Sequence, residues 1–494
     1  MKRCRPAAAV WLCLLGWPAI GQCDALEQVT RVLSSAQAVN LALARDVLVR
    51  DAEQSLRAAR AQLVGARAYT PWLTTSVHNS ASSSAGLDPE SVISGTDSSS
   101  QSYSTSLHLP MRGGMSLGLS TSASTSTTNS ELRTGEGMEF TYAGAYVGAS
   151  VSRPLGLLRD ERVLSEGGRW SAEFGLRGAE LALEEARRRV VADTLTLFFG
   201  ALRAQRSGEI ASASKREADE LLRIAQAKLE LGKLAEIEVM EASVAADSAG
   251  VGKRQGQAAA ASALDSLKNL LGIPLEEPLE LVHEDTGVAK GGPPDEEDLM
   301  TRALAQRADL QQRALAVKST QLSLRQVEAQ SRPGTYLTGG YSRSGQGETI
   351  RESFDQLINP SWYVGLGFTT SLTRREDRAA IEQARGSLRL AEANEQLRKE
   401  EVRLEIRRLR RELENAAANA ALLTETVKVA EENLGIRQVQ FEHGLIRPID
   451  VTQTERQLRQ ARLQLLDAVI AEDLAAAGLS LAVGEMPELA GDER

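Results

Sequence analysis

The chain has 494 residues, enough for several ordinary domains, yet only 4 % of them are aromatic, and Ala, Leu, Glu, Arg and Gln dominate most of its length. That mix favours long helices over a compact core filled with aromatic bulk. A formal net charge of −9 makes the chain a poor partner for nucleic acid.

The first residues read as an export signal. Lys2, Arg3 and Arg5 form a basic start, and Ala7 to Ile20 is apolar but too short to span a bilayer. Ala19 and Gly21 supply the small side chains of a cleavage site before Gln22, so residues 1–21 are expected to be removed. Cys4 and Cys13 leave with the signal, and Cys23 then stands alone, which excludes an internal disulfide. A lipid anchor on Cys23 needs a small residue before it, and Gln22 stands there, so an unpaired thiol is expected. Beyond the signal there is no apolar run of about 18 residues, so a membrane role has to use a β-barrel, whose strands carry weak hydropathy.

Two textures then alternate. Residues 26–68 show apolar residues at threes and fours (Leu41, Leu48, Ala52, Leu56, Leu63) and read as helix, ended by Pro71. Residues 70–155 are rich in Ser, Thr and Gly and contain alternating stretches such as Tyr103–Leu107, Met115–Leu119 and Phe140–Val147. These read as strands, with the Ser-rich 80–100 and 120–137 as loops; residues 101–126 offer one further hairpin. Residues 156–272 contain no proline and carry heptad-like apolar spacing through Leu176, Leu183, Val190 and Phe198. Gly232 interrupts this helix, and Gly272 with Pro274 ends it. A Pro- and Gly-bearing linker spans 277–296. The order then recurs: helix 297–332, strands 335–373, helices 374–484 broken at Gly444, and a short tail 486–494. The basic runs Arg187–Arg189 and Arg407–Arg411 lie mid-helix and read as solvated faces with Glu partners on the same helix.

The recurrence holds residue by residue. Lys228-Leu-Glu-Leu-Gly232 with Glu238-Val239 aligns with Gln440-Phe-Glu-His-Gly444 with Asp450-Val451 at an offset of 212, and the closing glycines Gly272 and Gly484 keep that offset. In the strand zones, Tyr146-Val-Gly148 aligns with Tyr363-Val-Gly365, and Trp72-Leu-Thr74 with Tyr336-Leu-Thr338. The repeats, 22–276 and 297–485, thus differ by insertions among the strands, where extra length costs little.

The doubled motif, a glycine turn followed six residues later by an acid and Val and then by a helix closing on Gly, resembles the signature of the TolC family of outer membrane efflux proteins, over about residues 30 to 485. The resemblance implies a mainly α fold with β: two helix–strands–helix repeats building a long α-helical coiled-coil barrel, plus a β-barrel completed by trimerisation. It implies an outer-membrane exit duct of a tripartite efflux pump or type I secretion system, conducting passively from periplasm to exterior. The partners would be two further copies of the chain, a periplasmic adaptor protein, an inner-membrane pump or transporter, and outer-membrane lipid. No cofactor and no catalysis is implied. Physics agrees on oligomerisation: a helix of about 100 Å cannot bury its apolar stripe alone, and a few strands cannot leave open edges in lipid.

The same resemblance implies an acidic mouth at Asp450, with Glu238 its first-repeat counterpart and Arg447 adjacent. An acid at the start of a helix also fits stabilisation by the helix dipole. The tips would dock the adaptor through Leu229, Leu234, Ile237, Phe441, Leu445 and Ile449 around Gly232 and Gly444, or pack within the tunnel. Of 19 aromatics, 12 fall within residues 69–155 and 335–373. Tyr69, Trp72, Tyr146, Trp362 and Tyr363 fit a membrane-interface belt, although aromatics also favour strands as such. His78, His108, His283 and His443 are not spaced as metal ligands, and no phosphate loop or nucleophile triad stands out. Two other classes remain in view: a periplasmic adaptor, which needs compact β domains around a single hairpin, and an exported coiled-coil structural protein, which has no use for repeated strand zones.

Overall fold

The computed structural model describes residues 31–85, 93–132, 134–283 and 295–487. The expected signal segment, Cys23, residues 284–294 of the linker and the end of the tail lie outside the described residues.

The proline-free stretches form two helical hairpins of matched size. In the first, α3 (Glu161–Glu230, 70 residues) turns at Gly232 into α4 (Glu236–Leu271). In the second, α8 (Arg375–Glu442, 68 residues) turns at Gly444 into α9 (Pro448–Val483). At 1.5 Å per residue each long helix extends roughly 100 Å. Both α4 and α9 have 36 residues and end on a left-handed glycine, Gly272 (φ 63°) and Gly484 (φ 102°). Shorter helices complete the bundle. In repeat one these are α1 (Ser35–Arg45) and α2 (Val47–Arg67), in repeat two α5 (Glu296–Gln306) and α6 (Ala308–Gln330). The α2 and α4 helices both run beside α3, as α6 and α9 run beside α8, so each long helix buries its stripe against two shorter ones.

Three features differ from the sequence expectation. The helices expected as continuous over 26–68 and 297–332 each break once, at Asp46 and Arg307, both in extended backbone. At each break an arginine reaches the end of another helix. Arg45 Nη1 donates to the carbonyls of Leu271 (3.3 Å) and Gly272 (2.6 Å), and Arg307 Nη1 to Ala482 (2.8 Å). A cation on the exposed carbonyls of a helix C-terminus is favourable, and only a kinked chain delivers it there.

Strands were expected only within 70–155 and 335–373. In fact β1 (Arg31–Leu33), inside the expected first helix, pairs in parallel with β6 (Leu279–Leu281), inside the expected linker. Leu33, Leu279 and Leu281 are buried in the main core with Phe198 and Phe199 of α3. A three-residue strand carries too little periodicity to be told from its surroundings. A second core gathers Leu299, Met300, Val402, Ile406 and Val483 at the matching level of repeat two.

The third difference is the sheet. Its strands are β2 (Trp72–Ala85), β3 (Ile93–Pro110), β4 (Ser116–Leu132), β5 (Gly137–Pro154), β7 (Gly334–Gly347) and β8 (Asn359–Thr369), in that spatial order and antiparallel throughout. The Ser-rich stretches expected as loops lie largely in β2, β3 and β4. Their hydroxyls pair across the strands: Ser76 with Ser104 (2.7 Å), Ser80 with Ser100 (2.8 Å) and Ser82 with Ser98 (2.7 Å). Such cross-strand pairs stabilise a ladder without apolar contacts. The β3–β4 hairpin is the insertion of repeat one; a short helix, α7 (Ile350–Asp355), is that of repeat two.

Candidate functional site

Each tip is built by the same backbone device. Gly232 (φ 63°) and Gly444 (φ 75°) take the left-handed conformation that only glycine adopts without strain. The Gly232 N–H donates to Leu229 O and the Lys233 N–H to Lys228 O, both at 2.9 Å. In the second repeat Gly444 donates to Phe441 and Leu445 to Gln440, again at 2.9 Å. This paired pattern satisfies the last carbonyls of the long helices. The next helix then starts under an acid. The Ala235 N–H donates to Glu238 Oε2 (3.1 Å) and the Arg447 N–H to Asp450 Oδ2 (3.1 Å). Both carboxylates therefore sit on helix N-termini, where backbone N–H groups and the dipole favour negative charge.

The side chains of the two tips differ. Ile237 and Leu445 are 62 % and 74 % exposed, Arg447 is exposed, and Leu229, Leu234, Ile449, Glu238 and Asp450 are half-buried. Phe441 corrects the docking set. It is 2 % exposed and packs with Leu221 of α3 and with Leu434, Val451 and Leu458, so it holds the tip together and offers nothing to a partner. Lys228 fastens this arrangement. Its ammonium lies 4.0 Å from the centre of the Phe441 ring and donates to the carbonyls of Phe441 and, at 3.3 Å, Glu442. Burial pushes the Lys228 ammonium below its usual range, the nearby Glu442 opposing that effect and Lys233 adding to it. The residue aligned with Lys228 in repeat two is Gln440.

The basic runs pair partly across helices within the bundle. Arg408 and Arg410 pair with Glu412 and Glu414 on their own helix, but Arg407 crosses to Glu296 of α5 (2.6 Å) and Arg187 to Glu53 of α2 (4.0 Å). A charged knot at the Arg307 break was not visible in the sequence. Arg307, 5 % exposed, binds Asp309 (2.9 Å) and Glu405 (3.0 Å), and Arg398 binds Asp309 from α8 (2.8 Å). Burial pushes the Asp309 carboxyl up, but Arg307 and then Arg398 outweigh it and hold it at about 2.

The register sorts the sheet into two faces, because directly paired residues point the same way. One face carries Leu73, Leu107, Leu119, Ala149, Tyr341 and Trp362 in a single row, with Val147 and Val151 of β5 and Leu366 and Phe368 of β8 on neighbouring rows. On β5 this apolar stretch runs from Ala143 to Val151, with Ala143 and Ala145 buried and Val147 and Val151 exposed. The other face carries the Ser ladder. It also carries Trp72, stacked on His108 at 4.0 Å, and tyrosines that lie over glycines: Tyr146 over Gly148, Tyr363 over Gly340, Tyr336 over Gly367. The expected aromatic belt is therefore divided. Trp362 is on the apolar face, whereas Trp72, Tyr146 and Tyr363 share the hydroxyl face; Tyr146 is mid-strand and Tyr69 precedes β2. The α7 helix packs on the apolar face over Ala143 and Ala145, against Gly345, where a Cβ would collide with the Ser353 carbonyl.

A six-stranded sheet with one apolar face and, among the described residues, unpaired edges at β2 and β8, continuous with hairpins of this length, defines the TolC-like fold class. Among the described residues no helix is long and apolar enough to cross a membrane, and no cluster is suited to a metal ion. The family description "Outer membrane efflux protein" matches residues 299–485. The solved CmeC outer membrane channel of Campylobacter jejuni shares the fold at 17 % identity and TM-score 0.62, over 93 % of this chain and 87 % of that one. So does the outer membrane protein VceC of Vibrio cholerae, at 15 % and 0.63, over 92 % and 97 %. The MtrE outer membrane channel of Neisseria gonorrhoeae gives 16 % and 0.60, over 91 % and 89 %. No curated protein sequence matches the chain. Residues 299–485 belong to the outer membrane efflux protein family, and the chain as a whole has the TolC-type fold.

Proposed function

We propose that the chain is the outer-membrane exit channel of an efflux or secretion assembly, with a long periplasmic helical extension, conducting passively. The observation that carries this reading is the sheet: an apolar face with exposed Leu, Val and Trp side chains, a hydroxyl-lined opposite face, and two edges that are unpaired among the described residues. Open edges are not tolerated in lipid. β2 and β8 run in opposite directions, so β8 of one copy can pair with β2 of the next. Three copies, as the resemblance implies, close eighteen strands into a barrel, a size that leaves an aqueous channel. The adaptor and the inner-membrane pump enter this reading as partners at the helix tips, where Ile237 and Leu445 are exposed.

The test addresses the mouth. Three copies of Asp450 in a narrow ring raise the local cation concentration. Asp450→Asn keeps the oxygen that accepts from the Arg447 N–H and removes the charge. Cation preference in planar bilayers should fall, with Glu238→Gln having the smaller effect. Folding should change by only about 0.3–1 kcal/mol. Unchanged selectivity with intact trimers puts Asp450 away from the conducting path and rejects the ring.

A further inference from the structure

A cavity of about 400 Å³ opens between α3, α8 and α9, just behind the second tip. Leu221, Ile224, Phe441 and Val451 form its apolar wall. Into this wall projects Glu455 of α9, only 7 % exposed. Among the described residues its carboxyl group has no hydrogen-bond or ion-pair partner. Its oxygens face the open cavity, where a largely buried acid gains from a partner. The aligned residue of repeat one is Ser243.

The groups around it are mostly acidic. α3 contributes Glu217, Glu220 and Arg216, and α8 contributes Glu442. Glu220 is already held by Arg223 at 2.6 Å. Glu217 has only a loose contact with Arg462 of α9, at 3.9 Å, and Arg462 is engaged more closely by Glu431 at 2.9 Å. With four acids and the single cation Arg216 in its lining, the cavity offers an excess of negative charge beside an apolar wall. Burial, and then Glu217, pushes the Glu455 carboxyl up to about 7.

We infer that this cavity is a binding site for an amphiphilic organic amine, with the ammonium group on Glu455 and the apolar body against Leu221, Ile224, Phe441 and Val451. The volume falls within the range of small-molecule pockets, and an apolar wall with a few polar groups that fix orientation is their usual composition. A bare metal ion fits poorly, since hard cations need six or more oxygens close together and this wall is hydrocarbon. An anion meets the wrong sign. The inference goes beyond the channel reading, and its test reads binding rather than conduction, so either can fail alone.

The probe is 2-naphthylmethylamine, with 2-naphthylmethanol as its uncharged twin, titrated calorimetrically into the purified full-length chain in detergent at pH 8. The amine should bind saturably and at least tenfold more tightly than the alcohol. Glu455→Gln is nearly isosteric with the neutral acid and should fold, as a thermal melt will show; it should abolish the tenfold preference. Glu432→Gln, on the exposed face of α8 and outside the cavity lining, should leave it intact. In the wild type the affinity for the amine should rise from pH 6 to pH 8 as Glu455 ionises, and in Glu455→Gln this rise should vanish. Equal binding of amine and alcohol overturns the inference, and so does a preference that survives in Glu455→Gln.

Discussion

The two helix tips share a backbone and differ in what they bury. Both turn on a left-handed glycine with the same pair of hydrogen bonds, and both start the next helix under an acid. In repeat two, however, Phe441 and Val451 are almost fully buried, whereas the aligned Leu229 and Val239 of repeat one are half-buried. Lys228 of the first tip caps the carbonyls of the second, and among the described residues Gln440 returns no such contact. The second tip is thus a held element and the first its holder. A motif duplicated in sequence has been assigned two mechanical roles through the side chains that flank it.

The sharpest way to break this comparison is to empty the pocket under the second tip. Phe441→Ala should cost about 3–5 kcal/mol and lower the melting temperature clearly, while Leu229→Ala at the aligned position should cost well under half of that. Similar losses would mean that the tips are mechanically equivalent. The helix breaks offer the next contrast. Asp309 is held far below its unfolded value, so its contribution is present above about pH 4 and is lost as pH falls through about 2. Asp309→Asn should therefore cost about 2–3 kcal/mol at neutral pH, and melts of variant and wild type should converge as the pH approaches 2. Asp46→Asn, at the aligned break, keeps a capping oxygen for the Leu48 N–H and should change stability by under about 0.5 kcal/mol at any pH. The smallest effect concerns the contact between tips. Lys228→Met retains the stem over Phe441 and removes the donor, and should cost about 1–2 kcal/mol. Because the loss is local, hydrogen exchange should accelerate around residues 439–446 and remain unchanged around 227–234.

Much of this was legible beforehand for physical reasons. Long proline-free stretches and left-handed glycines are strong local signals, so the hairpins and the turns at Gly232 and Gly444 followed directly. The Ser tracts differ from expectation because their strand pairing is held by hydroxyls across the ladder, such as Ser80 with Ser100, and no single strand shows its partner. The breaks at Asp46 and Arg307 depend on carbonyls more than 170 residues away, which local periodicity does not contain. Phe441 and Leu445 look equally apolar in sequence, and only the neighbouring α3 separates buried anchor from exposed surface. The unpartnered Glu455 sits on a helix among many other acids, and composition alone cannot single it out.

The strands β2, β3 and β4 continue past the apolar stretch with Ser, Thr and Asn on both faces. There the side chains no longer distinguish inside from outside, and sliding one strand past another by two residues exchanges one hydroxyl for another. Alignment must be imposed from the other end, by the Leu73–Leu107–Leu119 row and the Trp72–His108 stack. The upper wall is consequently adjustable in height. Two-residue deletions made together in β2 and β3 shorten the rim while preserving the pairing below, so the length of this collar is free to vary in a way the membrane-level wall is not.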